Sequence, residues 1–457
     1  MTKKEHIKLI GARIKSELND LKRTPESAAK ELEIDQKIIN NIIEGNCDIK
    51  DVYMLINKMG SFYPIDSNDL YIPEEDCVNG VKIMRSDQSK ISSRIFCRKN
   101  RTGSKTPYYE YRDTAMSKIS PFKPEWIKEL RMVNDSDPKN PDVAYNNGHF
   151  LHQTTFFIGP VNFYWEINGK KYSSEMNTGD SNYITPFYPH SFTNRDPSKE
   201  ALIIAVTFGG DVRRAQKEIY LLGKERIEKS VIDYQNYNKA VHQLVQQHME
   251  NEKVSVSNLE EILKSKNLST DINSLFDEDY TIQKSDIEMI ASVLNIEISD
   301  LMIPQYKADE EVVIRHKKKN EGYFYPSKDN PLYKIYPLAR TSKMPLMKGF
   351  DIEVLNKSID MNNSFESLLH YYVYNYGEND IKFNWELNDV KYDEILHSGD
   401  SLYIQPLIKH AFSNYSGRDA GLLVIGVSGS INLLVQKELS YFSDIKRIAN
   451  ETKQWFD

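Results

Sequence analysis

A long internal duplication constrains the fold of this chain more than any other feature. Residues 165–194 recur as residues 385–414, 220 positions further on and in the same register. Both copies contain a tryptophan followed by Glu, then the motif G-D-S-x-Y-I-x-P, then a histidine, which is His190 in the first copy and His410 in the second. A repeat of this length predicts two copies of a whole domain rather than the short units of a solenoid.

Composition narrows the class of protein. A length of 457 residues exceeds what one hydrophobic core usually organises, so it predicts several domains. Charged residues make up 27% of the chain and the net charge is −7, which argues against a basic nucleic-acid groove along the whole protein. Cys47, Cys77 and Cys97 form no C-x-x-C pattern and are expected to be free thiols in a reducing compartment. With no signal-peptide pattern and no apolar run of spanning length, we expect a soluble, cytoplasmic protein.

Two helical segments alternate with two segments rich in β-forming residues. In the first, apolar residues recur at helical spacing, and Thr24 followed by Pro25 is a helix start. The following sequence predicts two short helices around a tight turn, as in a helix-turn-helix. The ending S-N-D-L-Y-I-P recurs as I-S-D-L-M-I-P in the second helical segment. These patterns predict four parts in chain order: a helical domain over 1–75, a β-barrel over 76–233, a second helical domain over 234–305, and a second β-barrel over 306–457.

The β-rich segments carry the pattern of a particular small barrel. Each has a G-D turn followed a few residues later by x-P-x-x-x-H, the pattern with which a cupin, a double-stranded β-barrel, delivers a metal-binding histidine from a strand. The predicted fold class is therefore α+β, a tandem repeat of a helix-turn-helix-like domain followed by a cupin barrel.

Candidate metal ligands lie upstream of His190 in the first barrel. The segment N-N-G-H-F-L-H-Q offers His149, His152 and Gln153. Because side chains alternate along a strand, His149 and Gln153 share one face and His152 points to the other. His149, Gln153 and His190 would then form an open facial site of the kind that holds Fe(II), although such sites normally contain a carboxylate. A strand bulge would instead make His152 the third ligand. A barrel in which these side chains are only hydrogen-bonded core groups is the simpler alternative.

The second barrel lacks the same set of residues. When Gly159 is aligned with Gly377, Ser367 replaces His149 and Tyr371 replaces Gln153, whereas His410 still matches His190. A single histidine does not hold iron tightly, so the second barrel is predicted to be metal-free. The same alignment matches His152 with His370, and we expect both to be structural residues.

The repeated helical and cupin parts, with N-N-G-H and G-D-S-x-Y-x-x-P-x-x-P-H, resemble the family of 2-hydroxyethylphosphonate dioxygenase and methylphosphonate synthase. The resemblance covers nearly the whole chain. It implies an Fe(II) enzyme that cleaves the C–C bond of 2-hydroxyethylphosphonate with O2 and without an external reductant. It also implies iron ligation by His149 and His190. The implied phosphonate-binding residues are Lys22, Arg101, Tyr111 and Asn146.

One departure separates the two branches of that family. The dioxygenase branch carries a glutamate ligand just before the proline of its G-D-S-x-Y segment, where this chain has Ile184 and Thr185. The synthase branch uses two histidines and a glutamine, which makes Gln153 the implied third ligand. The synthase reaction would give methylphosphonate plus CO2 or bicarbonate, and the dioxygenase reaction, the alternative, would give hydroxymethylphosphonate plus formate.

A different class of protein shares this layout. Ligand-sensing transcription regulators also join a helix-turn-helix to a cupin barrel. The candidate recognition stretch contains Lys37 as its one cation, beside Asp35 and Glu44, whereas contact with DNA phosphates needs several cations. We therefore expect an enzyme that binds no nucleic acid. A homo-oligomer is compatible with the sequence, and Lys22 could then act in its own or in a neighbouring subunit.

Overall fold

The computed structural model describes residues 2–266, 277, 280–304, 310–414 and 420–449. Its helices are α1 (Lys3–Asp20), α2 (Pro25–Glu31), α3 (Gln36–Glu44), α4 (Ile49–Phe62), α5 (Ser86–Ile91), α6 (Asp211–Arg214), α7 (Gln216–Ile227), α8 (Tyr237–Glu252), α9 (Val256–Ser265), α10 (Lys284–Leu294), α11 (Leu433–Leu439) and α12 (Ile445–Ala449). None of the helices within these ranges combines the length and apolarity needed to cross a bilayer.

The strands lie in two groups. The first group is β1 (Val81–Met84), β2 (Arg94–Lys99), β3 (Lys105–Asp113), β4 (Phe122–Glu129), β5 (His152–Ile158), β6 (Val161–Ile167), β7 (Lys170–Met176), β8 (Ser181–Ile184), β9 (His190–Asn194) and β10 (Leu202–Phe208). The second group is β11 (Val312–Arg315), β12 (Tyr323–Pro326), β13 (Pro331–Pro337), β14 (Met347–Val354), β15 (Leu369–Asn375), β16 (Ile381–Leu387), β17 (Val390–Leu396), β18 (Ser401–Ile404), β19 (Lys409–Ser413) and β20 (Gly421–Ser428).

The first helical segment forms as its sequence predicts. The Thr24 side chain accepts a hydrogen bond from the backbone N–H of Ser27, and Pro25 is the first residue of α2. The turn before α3 contains Glu33 in the left-handed region with φ 53°. Helices α1 and α3 cross closely at Gly11, where an added Cβ would lie 2.4 Å from the carbonyl oxygen of Ile42. The apolar faces of α1 to α4 meet in one buried cluster.

The second helical segment repeats part of this arrangement. Helices α8, α9 and α10 bury their apolar faces in a cluster of their own. It ends in a 3-10 turn over Ile298–Leu301, which matches the 3-10 turn over Ser67–Leu70 at the end of the first segment. The related sequences S-N-D-L and I-S-D-L therefore give the same local structure twice.

The strands form two copies of a pair of antiparallel sheets. One pair combines a seven-stranded sheet of order β11-β8-β5-β10-β4-β3-β2 with a three-stranded sheet of order β7-β6-β9. The other combines the order β1-β18-β15-β20-β14-β13-β12 with β17-β16-β19. We call these pairs the first and second sheet pairs. Each has an apolar interior, so the chain has an α+β fold with duplicated β architecture.

Each sheet pair takes its edge strand from the other half of the chain. Strand β1, in the first half, pairs with β18 in the second half, with Val81 opposite Ile404. Strand β11, in the second half, pairs with β8 in the first half, with Val312 opposite Ile184. The predicted boundaries at 76 and 306 therefore do not separate the sheets, because backbone ladders cross them in both directions. The second boundary falls at 305–309, outside the described residues.

The G-D-S motif secures this exchange. The Asp180 carboxylate accepts a hydrogen bond from the backbone N–H of Lys317, just after β11, at 2.8 Å. The Asp400 carboxylate accepts one from the N–H of Ser86, just after β1, at 2.8 Å, and also pairs with Arg85 at 2.9 Å. Both carboxylates are nearly inaccessible. The motif was predicted as a turn that delivers a histidine, and the structure shows that its aspartate also joins the two halves.

Candidate metal centre

A glycine with a required backbone conformation positions His149. In the N-N-G-H motif, Gly148 has φ +72°, and an added Cβ would lie 2.4 Å from the carbonyl of Phe187. Neither the left-handed conformation nor the close contact favours a side chain. The carbonyl of His149 then accepts a hydrogen bond from the N–H of Phe187 at 2.9 Å, which ties the loop before β5 to the loop before β9.

His190 begins β9 with its ring orientation fixed. Its Nδ1 donates to the carbonyl of Tyr188 at 2.9 Å, and because a carbonyl only accepts, the proton resides on Nδ1. The free lone pair is therefore on Nε2, which accepts a hydrogen bond from Nδ2 of Asn146 at 3.0 Å. Burial lowers the pKa of His190 to about 4, so the ring is neutral at neutral pH. A neutral imidazole with an outward Nε2 lone pair is the form that binds metal ions.

Gln153 projects from β5 towards His149. Its side chain is buried, and its Oε1 lies 3.1 Å from Nε2 of His149. Its Nε2 donates to Oγ1 of Thr155 at 2.9 Å, on the same face of the strand. The amide oxygen is therefore the atom directed at His149; His149 itself lies in the loop before β5, so the two side chains meet although they do not share a strand as predicted.

The three side chains converge. The rings of His149 and His190 lie 5.1 Å apart, almost perpendicular to each other. Two ligand atoms at right angles on an ion, each about 2.1 Å away, lie about 3 Å apart. The 3.1 Å between His149 Nε2 and Gln153 Oε1 matches that spacing. The Nδ1 of His149 is buried without a hydrogen-bond partner in the described residues, so no second protein contact competes for the orientation of that ring.

The donor set fits a divalent transition metal. Two imidazole nitrogens and one amide oxygen suit Fe(II) and leave an open face for further ligands. Within the described ranges, no three His, Cys, Asp or Glu side chains come together as a metal site. A site in this region therefore depends on a ligand outside those four residue types, and Gln153 supplies one.

Asn146 lies at the edge of this cluster and is held rigidly. Its Oδ1 accepts hydrogen bonds from the N–H groups of Gly148 and His190, both at 2.9 Å. Its Nδ2 is thereby directed towards the Nε2 of His190. The structure thus brings Asn146 together with the three predicted ligands and presents an N–H donor beside them.

The other predicted substrate residues lie in different settings. Tyr111, on β3, packs edge-on against Phe96 with ring centroids 4.9 Å apart, and burial raises the pKa of its phenol. Arg101 lies on the exposed tip of the β2–β3 hairpin, where Nε donates to Asp142 at 2.6 Å. Lys22 lies in the exposed turn after α1 and donates to the carbonyl of Asp20 at 3.0 Å. Binding of a phosphonate by these three residues stays a prediction.

His152, the alternative third ligand, points away from the cluster. Its Nδ1 lies 2.7 Å from the Tyr183 hydroxyl, and its ring stacks on Phe208. In the second half His370 makes the same contact, with Nδ1 2.6 Å from the Tyr403 hydroxyl. The duplicated contact agrees with the expected structural role of both histidines.

At the equivalent place in the second half, the residues that the structure describes form no matching donor set. Ser367 donates to the Tyr371 hydroxyl at 2.9 Å where the first half has His149 and Gln153. The Tyr371 ring lies 5.7 Å from the ring of His410, which keeps a hydrogen bond from its Nδ1 to a backbone carbonyl. The Tyr371 phenol and the Ser367 hydroxyl therefore replace the two candidate ligands His149 and Gln153 of the first half.

Sequence reasoning missed four groups that are related to the predicted site residues: Thr155, which holds the Gln153 amide, and Arg98, Glu125 and Asn182. Arg98 on β2 acts electrostatically on the Tyr111 phenol. Glu125 on β4 interacts electrostatically with His149, and burial raises the pKa of its carboxyl. Asn182 on β8 lies opposite Thr155. Thr155 could have been found from the sequence, because it lies two residues after Gln153 and therefore on the same face of the strand. Arg98, Glu125 and Asn182 could not, because their positions depend on which strands become neighbours.

Comparison with known proteins places this fold and cluster in a defined class. The chain superimposes on 2-hydroxyethylphosphonate dioxygenase of Streptomyces albus, solved with 2-hydroxyethylphosphonate and Fe(II) bound, with a TM-score of 0.88, 30% identity and coverage of 98% of this chain and 99% of that one. PhpD, solved with cadmium atoms, has a TM-score of 0.72 at 14% identity over 97% of this chain and 98% of its own, and shows the fold alone. The architecture is therefore that of the 2-hydroxyethylphosphonate dioxygenases.

A closer relationship in sequence identifies the family. The chain is 40% identical over 454 residues to the methylphosphonate synthase of Nitrosopumilus maritimus (strain SCM1), covering 96% of this chain and 94% of that protein. The chain belongs to the methylphosphonate synthase family, and the resemblance predicted from its sequence is confirmed. No family model matches the chain.

Proposed function

We propose that this protein is an Fe(II)-dependent oxygenase that cleaves the C–C bond of 2-hydroxyethylphosphonate with O2 to give methylphosphonate and CO2 or bicarbonate. The observation that carries the proposal is the convergence of His149, His190 and the Gln153 amide oxygen on one open face. Family membership and the Fe(II)- and substrate-bound structural relative support the same activity.

In this proposal His149 Nε2, His190 Nε2 and Gln153 Oε1 hold the iron. When bound, Fe(II) would supply O2 activation and open positions for substrate oxygens. The protein contributes the orientation of the ligands. The Tyr188 carbonyl fixes the protonated nitrogen of His190, and Thr155 holds the nitrogen of the Gln153 amide. Metal binding would replace the hydrogen bond between His149 Nε2 and Gln153 Oε1 and would move the proton of the His149 ring to Nδ1.

The product branch follows from the residue opposite Gln153. In the sheet, Ile184 on β8 is paired with Gln153 on β5, so both side chains project to the same interior face. A glutamate at 184 would therefore have placed a carboxylate in this cluster, and Ile184 cannot. The protein thus supplies a neutral third ligand, which favours the synthase reaction over the dioxygenase reaction. The dioxygenase products remain the alternative, because a structural relative at 30% identity is a dioxygenase.

Recognition of the phosphonate would use donors at the edge of the cluster. Asn146 presents Nδ2 beside His190, where a phosphonate oxygen could accept a hydrogen bond. Tyr111 and Arg98 are close enough to interact electrostatically, so we add Arg98 to the predicted set. A guanidinium suits a dianionic phosphonate because it donates in a planar fork. Lys22 keeps its predicted role, and Arg101 stays the alternative guanidinium, because its side chain is held by Asp142 in the structure.

We also propose that each half consists of a helix-turn-helix-like domain followed by a cupin barrel, with the first barrel active and the second metal-free. The repeated helical clusters and the two matching sheet pairs support this division. The exchanged strands β1 and β11 modify it, because each completes the barrel of the other half. The cytoplasmic location and a homo-oligomeric state stay predictions.

Phosphorus NMR of an aerobic turnover tests the proposal. The purified protein is reloaded with Fe(II) under nitrogen, mixed with 2-hydroxyethylphosphonate, and exposed to O2 without a reductant. A methylphosphonate signal is the expected result. Hydroxymethylphosphonate would place the protein in the dioxygenase branch, and unconverted substrate with iron demonstrably bound would contradict the proposed substrate. A gel-shift assay with DNA at low and high salt tests the regulator alternative, which the family relationship disfavours.

A further inference from the structure

The Gln153 amide must be held in one of two orientations for its proposed role. A half-turn about the last side-chain bond exchanges its oxygen and nitrogen with almost no change in shape. Only the oxygen carries a lone pair for a cation, since the NH2 group donates hydrogen bonds and accepts none. In the structure the nitrogen donates to Oγ1 of Thr155 at 2.9 Å, and Oε1 faces His149. Thr155 is fully buried, so water does not replace this contact.

A threonine alone does not choose between the two orientations, because a hydroxyl both donates and accepts. Its one hydrogen has to be used elsewhere for Oγ1 to act as the acceptor for Gln153. Asn182 lies directly opposite Thr155 in the pairing of β5 with β8. Side chains at such paired positions have Cβ atoms about 5 Å apart. Asn182 is fully buried, and neither its Oδ1 nor its Nδ2 has a hydrogen-bond partner in the described residues.

The second half of the chain provides an internal comparison. The residues that match Thr155 and Asn182 there are Val373 and Leu402, which pair in the same register between β15 and β18. Both are fully buried in the apolar core of the second sheet pair. The same fold thus accepts an apolar pair at this position. The first half, which has Gln153, instead buries the polar side chains of Thr155 and Asn182 at this position. Burial of polar groups is costly unless they are hydrogen-bonded.

We propose that Thr155, oriented by Asn182, is a positioning residue that fixes the Gln153 amide with its oxygen towards the metal. The inference rests on the proposed function of this site. The Thr155 oxygen accepts from the Gln153 nitrogen, and the unpartnered Asn182 amide opposite Thr155 is the group whose oxygen would take the threonine hydroxyl hydrogen. Without the threonine hydroxyl, the amide would also populate the reversed orientation, in which an NH2 group faces the cation.

Metal binding by the stripped protein tests this role independently of turnover. Thr155→Val removes the hydroxyl at nearly constant shape, and Thr155→Ser retains it. Thr154→Val is the matched control, because Thr154 is equally buried on the same strand and its side chain faces the other side. Each protein is titrated with Co(II), and affinity and the visible absorption of the bound ion are recorded. Thr155→Val should weaken binding about tenfold and alter the spectrum, as loss of a contact that orients a ligand does in other metal sites.

Comparison of the variants gives each result a definite meaning. Thr155→Ser and Thr154→Val should bind Co(II) like the wild type, and Asn182→Leu should weaken binding in the same direction as Thr155→Val. Wild-type affinity and spectrum in Thr155→Val would overturn the inference, as would a Thr155→Ser variant as impaired as Thr155→Val. Failure of the wild type to bind Co(II), or unchanged binding in His149→Ala, would instead refute the proposed metal site itself.

Discussion

The double substitution Ile184→Glu with Gln153→Ala tests whether the neutral third ligand sets the product. Ile184 is 1% exposed and is paired with Gln153 across β5 and β8. A glutamate at 184 therefore projects into the face that Gln153 now occupies. The alanine at 153 removes the amide and leaves room for the new carboxylate. The change converts a neutral ligand set into one with a single negative charge.

The structure gives an expected cost for the metal-free variant. Loss of the buried isoleucine side chain removes about 1.5–3 kcal/mol of hydrophobic stabilisation. A buried carboxyl without a partner adds a desolvation penalty of about 1–3 kcal/mol. These two costs belong to Ile184→Glu, so the metal-free double variant should lose about 4 kcal/mol of unfolding free energy relative to Gln153→Ala, measured by urea denaturation with a chelator present. Metal binding gives the carboxylate a partner, so the deficit should shrink by roughly 1–3 kcal/mol when both proteins are compared at the same saturating free concentration of metal, which the double variant binds more tightly.

Phosphorus NMR of the Fe(II)-loaded variant measures the functional consequence. A carboxylate lowers the positive charge of the iron site by one unit, which changes the reactivity of the metal. We expect the fraction of hydroxymethylphosphonate to rise at the expense of methylphosphonate. Gln153→Ala alone is the control, and it should lose activity because it has only two protein ligands. An active, iron-loaded double variant with the wild-type product ratio would refute the link between ligand charge and product.

Three further predictions concern charged residues outside the ligand set. Burial raises the pKa of the Glu129 carboxyl well above 4.5. The folded protein keeps this carboxyl neutral, so its contribution to the free energy of unfolding is fully present below pH 4.5 and is lost as pH rises towards the raised pKa. Because glutamine does not ionise, Glu129→Gln should gain stability relative to the wild type over that pH range, measured by melting curves. Arg85→Met should cost about 2 kcal/mol in urea denaturation, because Asp400 is buried and loses its cation while keeping backbone N–H partners. Arg98→Gln should raise KM about tenfold by removing a charged donor for the phosphonate, whereas Arg101→Gln should change KM little, because Asp142 holds that guanidinium in the structure.

Each of these predictions has a contradicting outcome. A constant stability difference between Glu129→Gln and wild type from pH 4.5 to 8 would mean that the Glu129 pKa is not raised. Unchanged stability in Arg85→Met would mean that the ion pair of Arg85 with Asp400 across the two halves contributes little to stability. Lys3→Met is a suitable control, because Lys3 is in a surface ion pair. A larger KM effect for Arg101→Gln than for Arg98→Gln would restore Arg101 as the guanidinium at the phosphonate.

Much of the candidate site was predictable because it depends on short-range rules. Gly148 and His149 follow from one motif, and alternation along β5 separates Gln153 from His152, whereas the contact of Gln153 with His149, which precedes the strand, is seen only in the structure. The sequence also shows that the second half has no glutamine equivalent to Gln153, since the repeat aligns Tyr371 with it. These inferences need only the identity of neighbouring residues and the geometry of a strand.

Residues contributed from distant strands were not predictable in this way. The proposed addition of Arg98 depends on its electrostatic interaction with Tyr111, which the sequence does not show, and the role of Arg101 stays a prediction. Asn182 looked like a variable position within G-D-S-x-Y, and its place opposite Thr155 depends on the pairing of β5 with β8. The exchange of β1 and β11 was missed for the same reason. Strands β1 and β11 each form backbone hydrogen bonds with a strand that is more than 100 residues away in the sequence.

The sequence by itself determined the duplication, the α+β class and the family, and it offered His149, Gln153 and His190 as candidate ligands, because motifs and local periodicity carry this information. Only the tertiary structure decided that the halves exchange edge strands, that Asp180 and Asp400 join them, and that Thr155 and Asn182 lie against each other beside Gln153. The physical reason is that strand pairing is selected by the packing and hydrogen bonding of the whole molecule. A residue's neighbours across a sheet are not contained in its neighbours along the chain.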